Sequence, residues 1–152
     1  MDQDLFRKTY REVNERFCAY EKSVLTNKCN CSRAERFCIA EREGVQCKSQ
    51  AAQERCLDLL EILRQQARFA LKATEERTTI PHGKAMKVQV GGLRGIKRAL
   101  RPQEPVPVTI DDVYATIDAA IEKFGGLDAL PFQVIIQQIA AYRDKKRSRR
   151  KR

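Results

Sequence analysis

The chain has no tryptophan, a single histidine and no cysteine after Cys56. With only His82 available, the cysteines have no obvious histidine partner, which favours all-sulfur ligation of any metal they hold. No apolar run approaches the ~18 residues of a membrane-spanning helix. The opening Met1-Asp2-Gln3-Asp4 lacks the basic start and apolar stretch of a secretory leader. A cytoplasmic protein with no membrane partner is therefore expected. A glycine loop with phosphate-binding spacing and a nucleophile elbow are both missing, so the pattern suggests a binding protein more than an enzyme, with no catalytic residue to name.

What the sequence does have is cysteine in one place. Cys18, Cys29, Cys31, Cys38, Cys47 and Cys56 fall within 39 of the 152 residues. In a secreted chain this number would suggest three disulfides; without a leader, a reducing compartment favours a metal site or buried thiols. Cys29-Asn30-Cys31 sits where the helical pattern breaks, and two thiolates one residue apart in a loop reach a single ion or adjacent atoms of a cluster. Cys38 and Cys47 complete four thiolates, enough for tetrahedral zinc or for an iron–sulfur cluster. These four are the preferred ligands. Cys18 and Cys56 are the alternates, since each falls on a predicted helix beside an apolar stripe, where cysteine also serves as a small hydrophobe. The spacing matches neither the Cys-x2-Cys knuckles of zinc ribbons nor the ferredoxin run. All-sulfur ligation tips the choice toward the cluster, while His82 remains a candidate remote ligand or proton carrier.

Charge is the second uneven feature. The net +10 divides into +2 over residues 1–79, +6 over 80–101, −5 over 102–142 and +7 over 143–152. Lys84, Lys87, Arg94, Lys97, Arg98 and Arg101 alternate with Gly91, Gly92 and Gly95, and glycine lets a backbone approach phosphate closely. With Lys145, Lys146, Arg147, Arg149, Arg150, Lys151 and Arg152 they form the candidate nucleic-acid surface. The tail has two other candidate targets, an acidic protein partner or the chain's own acids Asp111, Asp112, Asp118 and Glu122.

Periodicity predicts a mostly α fold. Phe6, Tyr10, Val13, Phe17, Tyr20 and Val24 place a helix over Asp4 to about Leu25. Ser32 with Glu35 reads as a capping box opening a short helix to about Glu41, ended by Gly44. Ser49 caps a third helix through roughly Thr74. These three helices form the cysteine-bearing unit, residues 1–79. In the basic segment 80–101, Met86 to Val90 reads as a short strand and Gly91-Gly92 as a turn into a helical stretch. Pro102, Pro105 and Pro107 mark an extended connector. Within 102–142, Thr109 and Asp112 cap a helix ended by Gly125-Gly126, and Pro131 starts a second. Residues 143–152 are expected to be a disordered basic tail.

Three functions are open on these grounds. The first is a metal-binding regulatory or accessory protein with a nucleic-acid surface. The second is an iron–sulfur electron-transfer or accessory protein docking an acidic partner. The third is a metal-free interaction domain with buried thiols.

Overall fold

The structure, a computed structural model, describes residues 16–69, 71 and 81–143. Helices predominate, and among the described residues there is one sheet, of two strands. Among the described residues, no helix is long and apolar enough to cross a membrane. The elements are α1 (Glu21–Leu25), β1 (Ala34–Ile39), β2 (Arg42–Cys47), α2 (Gln50–Gln66), α3 (Pro81–Met86), a π-helical stretch (Lys87–Gly91), α4 (Gly92–Leu100), α5 (Val113–Phe124), a 3-10 turn (Leu127–Ala129) and α6 (Phe132–Ala141).

The N-terminal region corrects the three-helix expectation. Residues 16–20 are not helical, because this stretch runs along β2 instead: Phe17 bridges Gln46, the Cys18 N–H donates to the Val45 carbonyl (2.9 Å), and the Cys47 N–H donates to the Arg16 carbonyl (2.7 Å). Residues 1–15 of the expected first helix lie outside the described residues. The expected short helix from Ser32 to Glu41 is a β-hairpin, with Ala34 opposite Cys47 and Ile39 opposite Arg42. Two interactions account for this, one with a distant part of the chain and one across the hairpin. The Ser32 N–H is committed to Asp112 Oδ1 (3.0 Å) rather than to a helix cap. Phe37 lies across the ladder from Gly44, where a Cβ would come within 2.4 Å of the ring, so Gly44 makes space in a strand and does not end a helix.

From Ser49 onward the helical pattern holds. The Ser49 hydroxyl accepts the Ala52 N–H (3.1 Å), which satisfies a free donor in the first turn of α2. The expected end of this helix near Thr74 lies outside the described residues. In the middle segment the expected strand from Met86 to Val90 is helical, and α3, the π-helical stretch and α4 follow one another without a break. The alternation of Met86, Val88 and Val90 misleads because this helix is covered on nearly every side: Val88, Gln89, Val90 and Gly91 are all buried. Helix-on-helix contact also explains the glycines. A Cβ at Gly91 would lie 2.7 Å from the Ile139 Cα, and one at Gly95 would lie 2.5 Å from the Ile135 Cα. These glycines bring α4 and the π-helical stretch against α6. They form neither the expected turn nor a phosphate cradle.

The C-terminal pair forms, with one correction: Asp112 alone is the cap and the helix starts at Val113, so Thr109 lies outside it. Asp112 caps α5, Gly125 ends it in the left-handed region (φ 101°), and Pro131 immediately precedes α6. One apolar cluster joins Tyr20 and Val45 to Leu59 and Leu63 of α2, Leu93 and Ile96 of α4, Ile117 of α5, and Ile135 and Ile139 of α6. Each such side chain contributes about 1.5–3 kcal/mol when fully buried. The loop after α1 is tied across this core. Asn30 N–H donates to the Ile110 carbonyl (2.9 Å), Ile110 N–H to that of Lys28 (3.1 Å), and Val113 N–H to that of Asn30 (2.8 Å).

Candidate functional site

Cysteines from four separate segments meet on one side of this core. Cys18 arrives on the strand-like stretch held to β2, Cys31 on the loop fixed to residues 110–113, Cys47 at the end of β2, and Cys56 on the second turn of α2. All four line a cavity of about 20 Å3, together with Tyr20, Arg33 and Tyr114 among others. Cys29 is completely buried beside them, within electrostatic reach of Cys18, Cys31 and Cys56. Cys38 is not brought in: it lies exposed on β1. Of the preferred ligands, Cys31 and Cys47 therefore reach the cavity, Cys29 lies next to it, and both alternates, Cys18 and Cys56, line it.

All six cysteines are free thiols. Burial, helped by the neighbouring cysteines, pushes Cys18, Cys29 and Cys56 up to about 12. Burial likewise raises Cys31, although the N–H groups of Arg33 and Tyr114 point at its sulfur and oppose the shift. The Arg33 N–H lies 3.4 Å from Cys31 Sγ, and the Tyr20 N–H plays the same part at Cys18. Both are amides two residues after the cysteine, which is a local signature of loops that stabilise thiolate charge. The Cys47 thiol donates to the Ser49 carbonyl (3.1 Å). Without a bound cation Cys18, Cys29, Cys31 and Cys56 are neutral, weakly nucleophilic sulfurs.

Positive charge stands close by. Arg33 and Arg55 both stack on Tyr114, with their guanidinium carbons 4.0 and 4.5 Å from the ring centroid. Arg55 is held there by Asp118 Oδ1 (3.2 Å) and by the Tyr114 carbonyl (3.1 Å). Asp112 fixes the loop from the other side. Burial works to raise its pKa, but the N–H groups of Ser32, Ala115 and Tyr114 prevail and hold the carboxyl below its usual range. Among the described residues, no three His, Cys, Asp or Glu side chains already stand at ligand distances around one point. The sulfurs face a common cavity without yet closing on a centre.

The basic stretch is mostly engaged within the fold. Lys87 donates to the carbonyls of Ala140 (3.5 Å) and Tyr142 (3.2 Å) at the end of α6, and burial, helped by Arg143, lowers its pKa. Arg94 donates to the Val108 carbonyl (2.8 Å) and lies over the Tyr142 ring, while Arg98 donates to the Pro102 carbonyl (3.1 Å). Lys97 pairs with Asp111 (3.9 Å) and Arg101 with Glu104 (3.4 Å), and Lys84 is half-buried. Lys145, Lys146, Arg147, Arg149, Arg150, Lys151 and Arg152 lie outside the described residues, and His82 is the second residue of α3.

Periodicity gives no hint that Tyr20, Arg33 or Tyr114 belongs beside the thiols. The first two follow a cysteine by two residues, which is the one sequence signal that marks them. Comparison with protein-family models, curated proteins and solved structures finds no match to this chain, so the functional reading rests on its own residues.

Proposed function

We propose that this chain is a metal-binding accessory or regulatory protein that holds a single ion, zinc first, between Cys18, Cys31, Cys47 and Cys56. Cys29 is a fifth thiol within reach. The observation that carries this reading is the convergence of four thiols on one cavity from separate segments of the chain. Its volume of about 20 Å3 exceeds the ~10–15 Å3 that one water needs. One ion suits that space better than a cluster, whose iron and sulfide atoms would require the walls to part. Amides aimed at Cys18 and Cys31, and the nearby Arg33, offset the charge of a tetrathiolate centre.

Such an ion acts as a staple, because it joins the strand-like stretch, the loop, β2 and α2 at one point, and binding energy at an unformed site becomes folding energy. The basic tail supplies the partner surface. With the cations of residues 87–101 spent on carbonyls and carboxylates, residues 144–152 are the better candidate for salt-sensitive contact with nucleic acid.

The test is the metal content and absorbance of anaerobically purified protein. Colourless protein with one equivalent of zinc is expected, and the paired substitution Cys18→Ser/Cys56→Ser should abolish it. A brown protein with a broad band near ~400 nm would replace the ion by a cluster. Metal-free protein, unaffected by chelators, would leave the thiols as core packing.

A further inference from the structure

Among the described residues, Tyr20 Oη, Arg55 Nε and Arg94 Nε are buried without a hydrogen-bond partner, and of these three residues Tyr20 lines the cavity. Its side chain is 1% exposed and lines the thiol cavity, yet its hydroxyl has no hydrogen-bond partner among the described residues. Native proteins rarely leave a buried hydroxyl in this state, because it has given up water and gained nothing in return. The residue is also well anchored. Its ring belongs to the main apolar cluster, and its carbonyl accepts the Val24 N–H (2.9 Å).

Besides burial, the groups that act on the Tyr20 hydroxyl are the sulfurs of Cys56, Cys29 and Cys18 and the Arg64 cation, all within electrostatic reach. A neutral thiol is a poor hydrogen-bond acceptor. A metal-bound thiolate keeps much of its negative charge and accepts a strong, charge-assisted bond. No cysteine sulfur makes a hydrogen bond to the hydroxyl in the metal-free fold, so the bond forms only as the sulfurs close on an ion and take up negative charge.

We infer that the Tyr20 hydroxyl donates a hydrogen bond to a metal-bound thiolate of this cavity, Cys56 first, and is a positioning residue of the centre. The inference rests on the metal reading above. It gives Tyr20 opposite effects in the two states, since the hydroxyl is a burden on the metal-free fold and a support to the loaded one.

Tyr20→Phe removes the hydroxyl and keeps the ring, and Co(II) is a suitable probe because its thiolate charge-transfer band reports the electron density on sulfur. The metal-free variant is expected to be at least as stable as the wild type. Its Co(II) affinity should fall roughly tenfold, as for other outer hydrogen bonds to metal ligands, with a shifted charge-transfer band. Unchanged affinity and an unchanged band in a wild type that binds Co(II) would overturn the role of Tyr20 alone. So would a weaker affinity that merely tracks a loss of metal-free stability without any spectral shift. A wild type that takes up no Co(II) would remove the metal reading itself, and this inference with it.

Discussion

At the scale of single residues, cysteines that look alike in the sequence differ sharply in their surroundings. Cys38 is exposed on a strand, and the other five surround or line the cavity. Iodoacetamide should accordingly modify one thiol fast in the native protein, and Cys38→Ser should abolish that phase while leaving metal content unchanged. Five or six equally fast thiols would show the cavity to be open. Asp112 is the second residue to test. Its carboxylate caps α5 through the Ala115 N–H and holds the cysteine loop through the Ser32 N–H. Asp112→Ala should cost about 1–2 kcal/mol in urea unfolding. Because the folded carboxyl titrates below its ordinary value of 3.8, the stability that its charge supplies is complete above that value and is lost as pH falls through the lower, folded one. The difference between wild type and Asp112→Asn should therefore shrink as pH is lowered toward ~3.

At the scale of elements, Gly95 gives the sharpest expectation, because propensity and packing oppose each other. Alanine is favoured over glycine inside a helix by about 0.8–1.0 kcal/mol. A Cβ at this position, however, meets the Ile135 backbone at 2.5 Å. Overpacking should prevail, and Gly95→Ala should destabilise by about 1–3 kcal/mol, read as a lower urea midpoint. A stabilised variant would mean that α4 and α6 are not in close contact. The same glycine shows why some elements were legible in the sequence and others were not. The cap of α5 stands three residues later than the expected Thr109, at Asp112, but Ser49 and Gly125 act through their own chain neighbours, so the start of α2 and the end of α5 could be read directly. The hairpin could not, because its loop uses Ala40 at a positive φ of 59°, where glycine or asparagine would have signalled a turn. Gly91 and Gly95 take their meaning from α6, some forty residues away, and an alternation pattern cannot tell a strand from a helix buried on every side. The cysteines were legible as a cluster. Which of them converge depended on the hairpin, which brings Cys47 toward Cys18 and turns Cys38 away.

At the scale of the whole molecule, one apolar cluster takes side chains from α1, α2, α4, α5 and α6, and the loop carrying Cys29 and Cys31 is bonded to residues 110–113. Removing the metal should therefore increase amide exchange at residues 16–56 and also at 110–115, with the paired helices α4 and α6 the last to loosen. The tail is separable from this. Deleting residues 144–152 removes seven cations and one carboxylate, lowering the net charge from +10 to +4. Nucleic-acid affinity should weaken, with metal content unchanged. The slope of log affinity against log salt should fall by about 0.7–0.9 for each phosphate that the tail had neutralised. An unaltered slope would place the binding surface elsewhere on the protein. The proposed function requires several sulfurs to close on one ion, and X-ray absorption at the zinc edge of the purified protein measures that directly. The expected result is a single shell of four sulfurs at about 2.3 Å, lost in Cys18→Ser/Cys56→Ser; a shell of nitrogen or oxygen, or iron with a metal–metal distance in place of zinc, would contradict it.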